Sequence, residues 1–287
     1  MKRILVTGAG GQLGMCLRDA VQATNLQGYD FLFVNREQFD ICNRKLVESW
    51  FFSNRVDVVV NCAAYTAVDK AEDDVENAFL ANADAVGLLA AESAEQGAFF
   101  VHVSTDYVFN GMAVEPFVED DYTQPLNVYG KSKLEGERLA MEKNTKTVIL
   151  RTAWVYSQYG KNFLKTMLRL FAEKDEISVV QDQRGTPTNA NDIAKAILKI
   201  ILTEKKTPGV FHFTNAGATT WYGFAEAIKE FTESKITIHP IASSSYPTPA
   251  QRPQYSVLDT SKIKETYDVE VRDWKESLKE LLGVIER

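Results

Sequence analysis

The chain has 287 residues, 45% of them hydrophobic, with a formal net charge of −7 and a pI near 5.2. This length and apolar content are enough for a large buried core, and the acidic balance, with no basic stripe, excludes general nucleic-acid binding. No apolar run reaches the length of a membrane span and the N-terminus lacks a secretory h-region, so a cytoplasmic protein with no membrane partner is expected. Cys16, Cys42 and Cys62 are odd in number, widely spaced and set among apolar residues, the pattern of reduced thiols. No cluster of His, Cys and carboxylates has metal-ligand spacing, and no metal is expected.

The first strand-like run covers residues 4–7, and Gly8, Gly10, Gly11 and Gly14 follow at once. A buried strand that turns sharply into a helix needs residues without a Cβ, because the backbone must take unusual conformations and approach a pyrophosphate at the helix N-terminus. Gly14 would let that helix pack closely on the strand. No Gly-Lys-Ser/Thr follows at Walker spacing. The next strand, residues 31–34, ends in Asn35 and Arg36, where an NAD-preferring site places an acidic residue for the ribose 2′-hydroxyl. A guanidinium there suits a 2′-phosphate, so NADPH is the expected cofactor and NADH the other candidate. Asp40 and Ile41 are placed to meet the adenine ring, or Asp40 caps a helix over 43–52.

Strand-like runs recur at 56–61, 98–104 and 147–151, with helical patterns at 72–96 and 132–143 between them. That alternation is an α/β fold of the Rossmann type, a doubly wound parallel sheet. Ligands in such sheets lie at the carboxyl ends of the strands, and Ser104, Thr105 and Asp106 stand at one of them. Tyr129 and Lys133, four residues apart, share one helix face. An ammonium beside a phenol lowers its pKa and lets it give a proton to a developing alkoxide, while Thr105 polarises the reacting carbonyl. Glycine loop, strand-end hydroxyl and tyrosine–lysine helix, in this order, mark a nicotinamide-dependent redox site.

Beyond residue 151 the pattern is less regular. A helix is expected over 162–173, a loop over 181–188, a helix over 191–202, a strand over 210–214 and helices over 220–231 and 274–285, flanking a proline-containing loop at 246–253. Residues 1–151 are expected to form the NAD(P)-binding domain, completed by parts of 187–215, and residues 152–287 mainly a smaller C-terminal substrate lobe. The stripe Leu278, Leu281, Leu282 and Ile285 reads as core docking. His102, His212 and His239 read as packing residues, and Asp69, Glu72, Asp73 and Asp74 as the solvated acidic start of a helix.

Longer segments carry a resemblance: VTGAGGQLG near the start, VVVNCAAYTAVDKAE at 58–72, VSTDYVFNG at 103–111, PLNVYGKSKLEGE at 125–137, RTAWVYSQYGKNF at 151–163, QDQRGTPT at 181–188 and YPTPAQRPQYSVLD at 246–259. In these the chain resembles, over nearly its whole length, the extended short-chain dehydrogenase/reductases, and among them those acting on a dTDP-linked 4-keto-6-deoxy sugar. The resemblance implies that Gly8, Gly11, Gln12, Leu13 and Gly14 cradle the pyrophosphate, and that Ala63, Ala64, Tyr65 and Thr66 line the path of the cofactor. It implies hydride transfer from reduced nicotinamide to C4 of the dTDP-sugar substrate, dTDP-4-dehydro-6-deoxy-L-mannose, giving dTDP-L-rhamnose. Tyr129 would protonate the C4 oxygen, and Tyr129 and Lys133 would also touch the nicotinamide ribose. Thr105 and Asp106 would contact the sugar, with Trp154 packed on it and Arg252 meeting the diphosphate.

Some family members hold magnesium through glutamates at a dimer interface. Cys16 and Asn191 stand here at two positions where such carboxylates would be sought, so the protein is expected to be a monomer or a homodimer without a bridging metal. Sugar-nucleotide 4,6-dehydratases and epimerases share the glycine loop and the tyrosine–lysine pair. The dehydratases carry a glutamate after the Thr-Asp, and Tyr107 stands there in this chain. The regulatory subunit of methionine adenosyltransferase also resembles these reductases and would bind cofactor without turnover, but the intact Thr105, Tyr129 and Lys133 set weighs against that reading.

Overall fold

The computed structural model of the protein describes residues 1–24 and 26–285. In its first half strands and helices alternate as β1 (Lys2–Thr7), α1 (Gln12–Thr24), β2 (Tyr29–Val34), α2 (Arg44–Ser53), β3 (Val58–Asn61), α3 (Val75–Phe79), α4 (Ala85–Glu95), β4 (Phe99–Thr105), α5 (Val128–Lys143) and β5 (Thr147–Thr152). The second half adds β6 (Val155–Tyr156), α6 (Phe163–Glu173), β7 (Glu176–Val180), β8 (Arg184–Gly185), β9 (Thr188–Asn189), α7 (Ala190–Leu202) and β10 (Gly209–His212). It ends with β11 (Thr219–Thr220), α8 (Trp221–Phe231), β12 (Thr237–Ile241), α9 (Ser261–Tyr267) and α10 (Trp274–Ile285).

Six strands form one parallel sheet in the order β10-β5-β4-β3-β1-β2. Its strands are nearly continuous apolar runs because both faces are covered. Ile4, Val6, Val58, Val60, Val101 and Leu150 point to the face covered by α1 and α7. Leu5, Val59, Phe100 and Ile149 point to the opposite face, against α2 and α4. Each such side chain contributes roughly 1.5–3 kcal/mol by leaving water. The strand order reverses between β1 and β3, and a crevice opens there at the carboxyl ends. β10 returns from the second half of the chain to complete the sheet edge. A separate core, with Leu164, Phe224, Ile228, Leu278 and Leu281, joins α6, α8 and α10 over the parallel pair β7–β12, and Ile285 packs against it. Among the described residues no helix is long and apolar enough to cross a membrane.

Several local readings change. Asn43 caps α2 by accepting from Leu46 N at 3.2 Å, whereas Asp40 accepts from Cys42 N, so Asp40 is not the cap. α5 begins at Val128 rather than 132, because the Asn127 side chain accepts from Gly130 N and starts the helix early, placing Tyr129 in its first turn. The helix expected over 72–96 is broken by a π-turn, Leu80–Asp84. There the Asn82 amide bridges Tyr65 N and O and the Ser132 hydroxyl, and its carbonyl faces Gly136, which leaves no room for a Cβ. The pair β7–β12 and helix α9 had no expected counterpart. His239 is exposed and pairs with Glu176 at 3.0 Å instead of packing.

Candidate active site

At the end of β1 the backbone of Gly8 takes φ +67°, and a Cβ there would lie 2.5 Å from Ala63 N. A Cβ on Gly14 would lie 2.4 Å from Gly8 O. Both glycines are therefore sterically required: they bring the start of α1, with its unpaired N–H groups, against the ends of β1 and β3. A cleft of about 1060 Å³ opens at this point. Gly8, Gly11, Gln12 and Leu13 line its glycine wall, with Gly14 packed beneath. Asn35, Arg36, Asp40 and Ile41 line the end beyond β2, Ala63, Ala64, Tyr65 and Thr66 the wall after β3, and Tyr129 and Lys133 the inner end. Arg36 is 84% exposed at its side chain and reaches Asp40 at 3.4 Å. Cys42 and Cys62 border the cleft, and Cys16 is buried behind it.

One component of this wall was invisible in the sequence. The Gln12 side-chain oxygen accepts from Ser157 Oγ at 3.0 Å and Asn162 Nδ2 at 2.8 Å, and Tyr159 donates to Asp19 at 2.6 Å. These bonds strap residues 157–162 across the start of α1 and bring Gly160 and Lys161 into the cleft.

At the inner end, Thr105 Oγ1 donates to Asp106 Oδ1 at 2.9 Å and accepts from Tyr107 N at 3.2 Å. Asp106 is 2% exposed, and its Oδ2 has no hydrogen-bond partner among the described residues. Burial pushes this carboxyl up to about 6, with the Ser256 and Thr105 hydroxyls working against it. The Tyr129 ring meets Tyr107 edge-on, with centroids 5.7 Å apart. Burial pushes the Tyr129 phenol up to about 12, the Thr105 hydroxyl pulls it down, and the Asp106 charge pushes it up further.

Lys133 is buried, and burial lowers it to about 8, against the opposing charges of Glu137 and Cys62. Its Nζ donates to Val103 O at 2.7 Å and lies 3.2 Å from His102 Nε2. The shared helix face thus exists, but the Lys133 nitrogen is turned toward β4 in this structure. Among the described residues, the charge that shifts the phenol is that of Asp106, which pushes it up. His102, read as a packing residue, is the lysine's neighbour, because β4 sets it beside Asn61 in register with β3.

The remaining expected residues surround this end without lining the glycine cleft. Thr105 and Asp106 follow the lining residue Ser104, and Trp154 stands between the lining residues Thr152 and Val155. Trp154 takes φ +48° and lies flat on Trp221, with centroids 3.6 Å apart, over Gly185, where a Cβ would clash with the indole. Arg252 clasps Asp69 with both terminal nitrogens, Glu72 accepts from Val128 N, and Asp74 accepts from Tyr65. Three of the four acidic residues read as a solvated helix start therefore hold the cleft rim together. Among the described residues no group of three His, Cys, Asp or Glu is placed to hold a metal ion.

Fold and cleft together are those of a Rossmann-type oxidoreductase, which moves a hydride between a nicotinamide dinucleotide and a second substrate. The family model described as the RmlD substrate binding domain matches residues 1–286. The chain is 41% identical over 292 residues to the dTDP-4-dehydrorhamnose reductase of Sinorhizobium fredii, covering 99% of this chain and 97% of that protein. Among solved structures, it superposes on a dTDP-4-dehydrorhamnose reductase from Clostridium acetobutylicum with a TM-score of 0.94 and 41% identity, over 99% of this chain and 100% of the other. The Bacillus anthracis enzyme of the same name, solved in complex with NADP, gives 0.94 at 36% identity with the same coverage. The chain belongs to the RmlD family, the dTDP-4-dehydrorhamnose reductases.

Proposed function

We propose that this protein reduces the C4 keto group of dTDP-4-dehydro-6-deoxy-L-mannose (dTDP-4-dehydro-L-rhamnose) to dTDP-L-rhamnose, with NADPH as the preferred reductant. The observation that carries this reading is the convergence of Thr105, Tyr129 and Lys133 at the inner end of a glycine-walled cleft. The residues present fit a dinucleotide. Gly8 and Gly14 leave no room for a Cβ, so the start of α1 stays open to a pyrophosphate, with Gly11, Gln12 and Leu13 beside it. Ala63, Ala64, Tyr65 and Thr66 would flank its path, Asp40 and Ile41 the adenine, and Asn35 and Arg36 the ribose end, where the exposed guanidinium suits a 2′-phosphate.

When bound, the reduced nicotinamide supplies a hydride to C4. The chain's own residues handle the proton and the charge. Tyr129 gives its phenolic proton to the C4 oxygen as negative charge builds there, converting the carbonyl to an alcohol. A phenol pushed upward by burial stays protonated at neutral pH and so carries the proton to be given. Thr105 turns its hydroxyl toward the same oxygen and stabilises it. Lys133 holds the ribose and, when charged, favours the phenolate left after proton transfer. Trp154 would pack its indole edge against the sugar, Asp106 would offer a polar contact, and Arg252 would turn its planar fork from Asp69 to the diphosphate. In this reading residues 1–151, with parts of 187–215, serve the cofactor, and residues 152–287 mainly the sugar nucleotide.

The test is loss of the reduced-nicotinamide absorbance with enzyme, NADPH and the 4-keto sugar nucleotide, repeated with NADH and without sugar. Sugar-dependent oxidation, faster with NADPH, is expected. Tight NADPH binding with no oxidation would remove the reductase reading.

A further inference from the structure

Lys133 ends a buried chain of polar side chains whose hydrogen bonds determine where the protons lie. Ala63 N donates to Asn61 Oδ1 at 3.2 Å, and the Thr7 hydroxyl donates to the same oxygen at 2.6 Å. A backbone N–H can only donate, so the amide is oriented with Nδ2 toward His102 Nδ1, 3.0 Å away. His102 Nδ1 therefore accepts and carries no hydrogen. An imidazole without a hydrogen on Nδ1 is neutral and carries it on Nε2. That N–H is aimed at Lys133 Nζ, 3.2 Å away. An ammonium has only donors and would meet it donor to donor. A neutral amine accepts it through its lone pair and still donates to Val103 O at 2.7 Å.

We propose that His102 is a positioning residue that holds Lys133 as a neutral amine until a dinucleotide enters the cleft and draws a proton onto it. This rests on reading the cleft as the NADPH site. Lys133 lines that cleft, and a ligand bearing phosphates and ribose hydroxyls brings negative charge and acceptors that favour an ammonium. Gaining the proton breaks the contact with His102, so the charged form is populated chiefly when the ligand supplies replacement partners.

The other groups facing Lys133 leave this balance in place. Burial lowers the lysine to about 8, which by itself leaves it mostly charged near pH 7, so the neutral form is held by the His102 N–H; burial also keeps His102 well below its ordinary range. Cys62, at the end of β3, favours the ammonium only as a thiolate, and burial pushes it up to about 12. Glu137, one turn further along α5, is taken by Arg151 at 2.7 Å. Tyr129, one turn earlier, is a neutral phenol at working pH. The consequence for the reaction is timing, because the charge that favours the Tyr129 phenolate arrives together with the hydride donor.

The test is calorimetric titration of the full-length enzyme with NADPH in two buffers of different ionisation enthalpy, which counts protons taken up. At about pH 8.5 the 2′-phosphate no longer titrates, and the wild type is expected to take up more than about half a proton per NADPH bound. His102→Asn keeps a group facing Asn61 but removes the N–H aimed at the lysine. His102→Gln can turn an amide oxygen to the ammonium. Both are expected to bind NADPH with the uptake at least halved, and either suffices if the other does not fold. Binding by the wild type without uptake, or unchanged uptake in a folded variant, would overturn the proposal. Failure of the wild type to bind NADPH would overturn the reading of the cleft and this inference with it.

Discussion

Asp69 and Arg252 lie 183 residues apart and meet through two parallel hydrogen bonds, of 2.7 and 2.8 Å. The pair joins the segment after β3 to the loop before α9, and the arginine holds the carboxyl below its ordinary range. A carboxylate in a guanidinium fork presents two oxygens in the geometry a diphosphate would offer, so this arginine is already oriented for an anion.

Arg252→Met is therefore expected to raise KM for the sugar nucleotide about tenfold or more, since a charged hydrogen-bonding partner is worth roughly 1.5–3 kcal/mol. NADPH affinity should be unchanged, because Arg252 does not line the glycine cleft. Steady-state kinetics beside a fluorescence titration separate the two. An unchanged KM would leave Arg252 as a clasp on Asp69 and nothing more.

Arg36 offers a second separation. Among the described residues its guanidinium is held only by Asp40, at 3.4 Å, and it can swing onto a phosphate at the ribose end of the cleft. Arg36→Ala is expected to weaken NADPH binding about tenfold and leave NADH nearly unaffected, the loss of one exposed charge-assisted contact. Equal losses for both cofactors would show that Arg36 does not read the 2′-phosphate.

What the sequence disclosed was local or periodic. The turn at Gly8 and the helix start sealed by Gly14 follow from adjacent residues, and the sheet core follows from short apolar runs. What it concealed depends on contacts distant in sequence. His102 reaches Lys133 only because β3 and β4 pair Asn61 with His102 in register. The Gln12 strap spans 145 residues to Ser157. The π-turn is tied down by Asn82, whose amide bonds Tyr65 and Ser132 from two other segments. The small pair β8–β11 has only two residues per strand, too short for any periodicity to register.

Asp106 makes a stability prediction with a defined sign. Its carboxyl is raised to about 6 in the folded protein from the ordinary 3.8, so between these values the folded state holds a proton that the unfolded chain has lost. Stability therefore falls as pH rises through that window, and the penalty, of order 3 kcal/mol, is fully present above it. Asp106→Asn is expected to melt several degrees higher than the wild type at pH 7 and to converge with it near pH 4. Thermal melts across that range check it. A gap that persists at pH 4 would assign the effect to packing rather than to the buried charge.

Tyr129→Phe removes one oxygen and keeps the ring that meets Tyr107 edge-on at 5.7 Å. The cleft wall should therefore remain, and NADPH should bind with little change. Turnover loses its proton donor, and no other acid among the described residues is placed to take over: Tyr107 is half-buried and pushed upward beside Asp106, and the Lys133 nitrogen is turned toward Val103 O. The expected result is a fall in kcat of roughly 100- to 10,000-fold, the usual worth of a positioned general acid. Single-turnover kinetics with saturating NADPH measure the chemical step directly. A residual rate above about a tenth of wild type would mean that the proton reaches the C4 oxygen by another route, and the assignment of Tyr129 would have to be withdrawn.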